Sequence, residues 1–261
     1  MGSAQSCQRF HVGDRIYGIA MGSMAEFATA MCSMAGPAPR ALADVQVASL
    51  PVAALTSLEA LHRGGLEKGK RVLVIGASGG TGVFGVSIGK ALEGHVTGIC
   101  SGRNKAFVSG FGPDRLVDYT SEEEMRDLVA EGPQFDMIYD TVTSFAPEDP
   151  NYEPSMRPLL LPRGKYVAIN GEPLDWVRGA VDGFISAPLL GVSGLLQRKD
   201  FDLFLLYPHA DLINELTSLF DAGLLGDVPI DSTFELSQDG LDAAFEKLKG
   251  RRVRGKIVIT I

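Results

Sequence analysis

Seven residues, Gly76-Ala-Ser-Gly-Gly-Thr-Gly82, place four glycines and two hydroxyls between an apolar run and a stretch of small residues. Glycine lets a backbone turn sharply and approach a ligand with no side chain in the way. A helix that starts at the end of such a loop adds unpaired N–H groups and the positive end of its dipole. That combination suits the capture of two linked phosphates by Gly76, Ser78, Gly79, Gly80, Thr81 and Gly82. The run before it, Arg71-Val-Leu-Val-Ile75, is β-branched and apolar and reads as a strand buried on both faces. Val83 to Leu92 reads as a helix, with Gly82 allowing it to lie close to the strand. Strand, loop and helix in this order predict a dinucleotide-binding unit.

The next strand selects the dinucleotide. A unit that holds NAD places Asp or Glu at its end, to accept hydrogen bonds from the adenosine ribose. Here the sequence is His95-Val-Thr-Gly-Ile-Cys-Ser-Gly-Arg-Asn-Lys105, which has no carboxylate. Ser101, Arg103 and Lys105 stand where a 2′-phosphate would lie, and a guanidinium can bond a phosphate in bidentate fashion. Charge-assisted bonds contribute about 1.5–3 kcal/mol each, enough to shift preference tenfold or more. The expected cofactor is NADPH.

Rival chemistries fit less well. Gly64-Gly-Leu-Glu-Lys-Gly-Lys-Arg71 begins like a P-loop, but Arg71 replaces the required Ser or Thr and the run precedes a strand. A short-chain dehydrogenase would pair its loop with a Tyr and a Lys four residues later, and none of the six tyrosines has one. His11, His62, His95 and His209, with Cys7, Cys32 and Cys100, form no zinc-ligand spacing, so no metal is expected. The three cysteines are widely spaced and are expected to be reduced thiols. Tyr17 is a candidate proton donor or a packing residue. The basic run Lys247, Lys249, Arg251, Arg252, Arg254 and Lys256 reads as a solvated helix end, with phosphate or RNA contact as alternatives. It has no interleaved aromatics to stack bases, and the net charge of −8 argues against a dedicated nucleic-acid binder.

The elements that would position these groups alternate. Further strands are expected at His95 to Cys100, Arg115 to Tyr119, Phe135 to Asp140 and Lys165 to Asn170, with a helix at Glu122 to Ala130 between two of them. A helix from Pro51 to Gly65 precedes the first strand. The alternation predicts an α/β fold with a doubly wound parallel sheet, a Rossmann domain. The apolar fraction of 45% and charged fraction of 21% are those of a soluble globular chain. Residues 1 to 45 hold a strand fragment, Asp14 to Gly18, and too few apolar positions to close a core. After Asn170 the expected elements are a helix at Ala210 to Ala222, a strand at Ser232 to Leu236, a helix at Leu241 to Lys249 and a strand at Lys256 to Ile261. Phe184 to Leu196 is apolar but too short to span a bilayer, and it is read as a buried or interface segment favouring a homodimer.

These residues resemble a known family. Gly13-Asp-Arg-Ile-Tyr-Gly18, Ala25-Glu-Phe27, Leu50-Pro51, Thr56, the glycine loop, Cys100-Ser-Gly-Arg-Asn104, Val117-Asp-Tyr119, Phe135-Asp136, Asp140, Gly164-Lys-Tyr-Val167 and Gly255-Lys-Ile-Val258 come in the order of one branch of the medium-chain dehydrogenase/reductases. That branch is the zinc-free quinone oxidoreductases, similar to zeta-crystallin and to alkenal reductases. The resemblance implies that Ser78, Gly79, Gly80 and Thr81 wrap the pyrophosphate and that Ser101, Arg103 and Tyr119 surround the 2′-phosphate and adenosine. Thr56 would lie near the nicotinamide end, and Ala168 to Asn170 would touch the nicotinamide, while Asp140 either serves the site or caps a turn. Most of the GroES-like β-barrel that such enzymes carry at the front is missing. The implied organisation is a barrel remnant at 1–45, an NADP-binding domain at 46–226 and a C-terminal segment at 227–261 that returns to the remnant. The implied activity is hydride transfer from NADPH to a quinone or an α,β-unsaturated carbonyl. The alternatives are cofactor binding without turnover and an RNA-associated protein. The small-molecule substrate and a homodimer are the expected partners, in the cytoplasm or in an organelle whose address was lost with the front.

Overall fold

In the computed structural model, which describes residues 7–144, 150–171, 177 and 201–261, the chain opens with an antiparallel hairpin. Strand β1 (Ile16–Met21) pairs with β2 (Thr29–Pro37), with an irregularity between Gly18 and Ala20. The strand expected at Asp14 to Gly18 thus starts later and runs further. Strand β2 was hidden from pattern reading because most of its side chains are exposed. The hairpin carries Cys32 back beside the segment before β1, where it forms a disulfide with Cys7, Cα to Cα 5.8 Å. This corrects the expectation of reduced thiols, since a sequence separation of 25 concealed the pairing. Cys100 alone is free, and it is buried.

Helix α1 (Asp44–Ala48) is followed by α2 (Leu50–Gly64), which has Pro51 in its first turn, where a missing N–H costs nothing. Leu50, Ala54, Leu58 and Leu61 recur at helical spacing and are fully buried, so one stripe of α2 faces a core. The sheet follows. Strand β3 (Arg71–Ile75), helix α3 (Gly82–Ala91), β4 (His95–Cys100), α4 (Lys105–Ser109), β5 (Arg115–Asp118) and α5 (Glu122–Ala130) alternate in sequence. Then come β6 (Phe135–Asp140), α6 (Glu153–Met156), β7 (Leu160–Ala168) and β8 (Phe201–Leu203). Among the described residues the sheet has six strands in the order β5-β4-β3-β6-β7-β8, and every pairing is parallel. The chain winds outward from β3 to β5 and then returns to the other side of β3 with β6. The order therefore reverses between β3 and β6, which opens a crevice at their C-terminal ends.

The strands are buried on both faces, as continuous apolar runs require. Leu73, Ile75, Ile99, Val117, Ile138 and Tyr166 point to one face and pack with Leu128 of α5 and Met156 of α6. Strand β7 begins earlier than the expected Lys165 because Pro162 and Gly164 disguise its first half. There Arg163 takes a positive φ of 73°, and the register with β6 shifts between Phe135 and Met137.

The remaining elements are α7 (Ala210–Asp221), β9 (Ile230–Glu235), α8 (Gln238–Lys249) and β10 (Lys256–Thr260), with β9 and β10 parallel. The chain divides into two compact units, Met1–Leu55 with Tyr207–Ile261, and Thr56–Leu206. In the first unit Tyr17 is buried, donates to the Ile213 carbonyl at 3.2 Å and accepts from Thr217 Oγ1 at 3.3 Å. Both of its hydrogen bonds fasten β1 to α7, and burial pushes its pKa up to about 12. Tyr17 thus packs between β1 and α7. The apolar stretch Phe184 to Leu196 lies outside the described residues. Among the described residues no helix is long and apolar enough to cross a membrane.

Candidate cofactor site

The glycine loop leaves β3 at the reversal point of the sheet. Gly76 has φ +83°, and a Cβ there would come within 2.5 Å of Val142 Cγ2 and 2.6 Å of Thr141 Oγ1. Only glycine combines that backbone angle with that approach. A Cβ on Gly82 would collide with the carbonyl oxygen of Gly76, so the last glycine lets α3 start directly over the loop.

Gly76 and Ala77 both donate to the Ile99 carbonyl, at 3.1 and 2.9 Å, and Gly79 donates to the Gly76 carbonyl at 2.9 Å. These three amides shape the loop. The N–H groups of Ser78, Gly80, Thr81 and Gly82 have no protein acceptor among the described residues. Four donors thus converge at the start of a helix, where the dipole favours an anion.

Two neighbouring segments are fastened to the loop. From α2, Ser57 Oγ donates to the Thr81 carbonyl at 2.8 Å and shares a hydrogen bond with Tyr139 OH at 3.3 Å. Ser57 and Tyr139 are fully buried, and burial pushes the Tyr139 phenol well above its ordinary range. Sequence reading missed Ser57. Its signal was a hydroxyl set among the apolar residues of α2. Thr56, beside it, is buried as well. From the turn after β4, Asn104 Nδ2 donates to Ser78 Oγ at 3.0 Å.

That turn has Ser101 buried at its head and Arg103 exposed at its tip. Lys105 differs from expectation. Its ammonium is held by Glu124 Oε1 and Oε2 at 2.7 and 2.6 Å, so it is engaged with a protein carboxylate instead of standing open to a phosphate. Asp118, at the end of β5, brings a carboxylate beside Gly102, but Thr120 donates to it from both its N–H and its hydroxyl, at 2.8 and 2.7 Å. The Thr120 hydroxyl, the Thr120 and Gly102 amides and nearby Lys105 hold its pKa below the usual carboxylate range. Tyr119 is half-exposed next to it, with its amide on the Cys100 carbonyl at 3.1 Å.

Across the crevice, Asp140 is buried at the end of β6. Its Oδ1 accepts from the amides of Val142 and Thr143 at 2.9 and 3.0 Å, and its Oδ2 accepts from the hydroxyls of Thr143 and Tyr166, each at 2.5 Å. Asp140 therefore caps a turn and ties it to β7, the structural alternative of the two read from sequence. The turn it holds carries Thr141, whose hydroxyl donates to the Ile75 carbonyl at 2.7 Å, and Val142, both packed against Gly76. Asn170 follows β7 and accepts the Gly171 amide on its own Oδ1 at 3.0 Å, while Ile169 N reaches the Asp140 carbonyl at 3.3 Å.

The other sequence candidates lie elsewhere. His209 caps α7 by accepting the Leu212 amide on Nδ1 at 3.3 Å, and His95 opens β4 on the surface. Burial pushes the Cys100 thiol up to about 11, which leaves it a poor nucleophile at neutral pH. In the basic run, Lys247 pairs with Asp231 at 2.5 Å and Lys249 with Glu246 at 2.6 Å, and burial lowers the Lys256 pKa. Those pairings shrink the cationic surface available to a polyanion.

Residues 111–259 match a family model described as zinc-binding dehydrogenase. The chain is similar to mitochondrial NAD(P)H oxidoreductase RTN4IP1 of Mus musculus, 29% identical over 274 residues that cover 97% of this chain and 65% of that protein. It is similar to trans-enoyl reductase pgmF of Aspergillus terreus, 30% identical over 245 residues covering 92% of this chain and 65% of that one. The chain thus spans just under two thirds of the length of either relative. Among solved structures, the quinone oxidoreductase from Coxiella burnetii superposes with a TM-score of 0.72 at 24% identity, over 97% of this chain and 73% of that one. The family description names zinc, yet among the described residues no three His, Cys, Asp or Glu side chains come together to hold a metal ion. The donor set of the described residues does not fit the metal. With a family model fitting more than half its length, the chain belongs to the zinc-binding dehydrogenase family.

Proposed function

We propose that the chain binds NADPH across the C-terminal ends of β4, β3 and β6, over the crevice where the strand order reverses, and passes its hydride to a quinone or to the β-carbon of an α,β-unsaturated carbonyl. The observation that carries this reading is the set of four amides at the head of α3, on Ser78, Gly80, Thr81 and Gly82, that have no protein acceptor among the described residues. They match the acceptors of a pyrophosphate, while Gly76 and Gly79 give the loop its shape. Ser101 and Arg103 take the 2′-phosphate, Tyr119 flanks the adenosine, and Thr56 and Asn170 lie toward the nicotinamide. When bound, NADPH supplies the hydride; the residues of the chain orient it and keep water away from it. The names of the relatives, an NAD(P)H oxidoreductase and a trans-enoyl reductase, support both the cofactor class and the substrate class. The proposal retains the division into a cofactor-binding domain at 46–226 flanked by parts of a catalytic domain at 1–45 and 227–261.

The test is titration of the purified chain with NADPH and NADH, then NADPH consumption with phenanthrenequinone and with an enal. Tighter binding of NADPH together with its oxidation supports the reading. Equal affinity for the two cofactors removes the role given to Arg103, and binding of neither removes the loop's role. NADPH binding with no oxidation by either acceptor would remove the hydride-transfer step and leave cofactor binding alone.

A further inference from the structure

The turn that carries Ser101 and Arg103 is held by groups on α4, β5 and α5. Glu124 Oε2 accepts from Lys105 Nζ at 2.6 Å and from the Asp118 amide at 2.8 Å, so one carboxylate oxygen joins the start of α4 to the end of β5. Glu124 is itself oriented because its N–H donates to Ser121 Oγ, the N-cap of α5, at 3.3 Å. Asp118 lies so close to Gly102 that any Cβ there would collide with its Oδ2. The turn closes on itself through Asn104 N to the Ser101 carbonyl at 2.8 Å. Both ends of the segment Ser101–Lys105 are therefore fixed, and Arg103 is the exposed residue between them.

We propose that Glu124, Lys105 and Asp118 form a positioning clamp that sets the preference for NADPH over NADH by holding Arg103 and Ser101 in the geometry that meets a 2′-phosphate; the proposal rests on the NADPH reading above. The clamp acts only on the part of the cofactor in which NADPH and NADH differ. The pyrophosphate donors belong to the glycine loop, which makes no hydrogen bond to Glu124 and meets the clamped turn at the Asn104–Ser78 hydrogen bond. Loosening the clamp spreads Arg103 over more conformers, so a fixed two-point contact with phosphate is lost while the rest of the cofactor binds as before.

The experiment compares Glu124→Gln, Lys105→Met and Lys105→Arg with the unmodified chain, reading Kd for NADPH and NADH and the thermal midpoint of each protein. Glu124→Gln and Lys105→Met are each expected to weaken NADPH about 5–10-fold, somewhat less than the loss of one whole charge-assisted contact, because Arg103 is loosened and not removed. NADH affinity is expected to change less than about twofold, and Lys105→Arg to retain most of the preference. Tighter NADPH binding by Glu124→Gln would overturn the clamp, because it would mean that Lys105, once released, is itself the phosphate ligand. Equal weakening of both cofactors would also overturn it, reducing the ion pair to general stability. If Glu124→Gln fails to fold, Lys105→Met decides on the same readout. An unmodified chain that does not distinguish the cofactors would defeat the NADPH reading itself, and the clamp with it. An unmodified chain that prefers NADPH but whose variants keep that preference would defeat the clamp alone.

Discussion

Asn104 Nδ2 donates to Ser78 Oγ at 3.0 Å, so a side-chain hydrogen bond joins the turn after β4 to the glycine loop. The two residues are 26 apart in sequence. Replacing Asn104 with Leu keeps the bulk and removes the donor. A neutral hydrogen bond contributes about 0.5–1.5 kcal/mol, so NADPH affinity is expected to fall about 2–10-fold with little change in the thermal midpoint. An unchanged Kd would mean that the two turns hold their places without each other.

Two glycine substitutions separate binding from folding. A Cβ on Gly79 would lie 3.4 Å from the Gly76 carbonyl oxygen, close but tolerable, so Gly79→Asp is expected to fold. Its carboxylate would then face the pyrophosphate in a loop built to attract anions, and cofactor binding is expected to be lost. Gly82→Ala meets the Gly76 carbonyl directly and is expected to destabilise the protein by about 1–3 kcal/mol. Thermal melting with a parallel NADPH titration checks both. Normal affinity in Gly79→Asp would refute the assignment of the loop.

Asp140 is a fold residue at the edge of the site. Asp140→Ala would leave the amides of Val142 and Thr143 and the hydroxyl of Tyr166 without their acceptor in a buried turn. Removing such a partner costs about 3 kcal/mol, and the turn against Gly76 would loosen with it. Urea unfolding is expected to show the lower stability. Asp140→Asn, which keeps the shape and part of the accepting capacity, should lose less. Equal losses in the two variants would show that charge, not hydrogen-bond geometry, sets the role of Asp140.

The strand, loop and helix at residues 71–91 were legible because they rest on local signals: a β-branched run, clustered glycines and a stretch of small residues. The same holds for α5, whose Ser121 cap and three glutamates in the first turn announce a helix start. What stayed hidden depends on proximity in space. Glu124 reads as an ordinary first-turn acid until β5 and α4 bring Asp118 and Lys105 to it. Lys105 accordingly looked like a phosphate ligand. Cys7 and Cys32 meet only because the hairpin folds back, and β2 lacks a buried face that would mark it as a strand. Ser57 was hidden inside the apolar stripe that identified its own helix.

The alkaline limb of stability is expected to carry a contribution from Tyr17. Its phenol is buried between β1 and α7, and desolvation raises its pKa from 10.0 to about 12, outweighing the hydrogen bond from Thr217 that acts in the other direction. In the unfolded chain the phenol ionises first, so protons leave that state more readily than the folded one. The stabilisation from the neutral, buried phenol is therefore complete below about pH 10 and is lost as pH rises toward 12. A rise of that size corresponds to at most about 3 kcal/mol. Tyr17→Phe keeps the ring and removes the titration. Its stability is expected to start lower at about pH 8, for want of the bonds to Ile213 and Thr217, and then to decline less than that of the unmodified chain as the pH rises past about 10. Parallel pH profiles for the two proteins, measured by urea unfolding, would show that Tyr17 ionises as easily in the folded state as in the unfolded one.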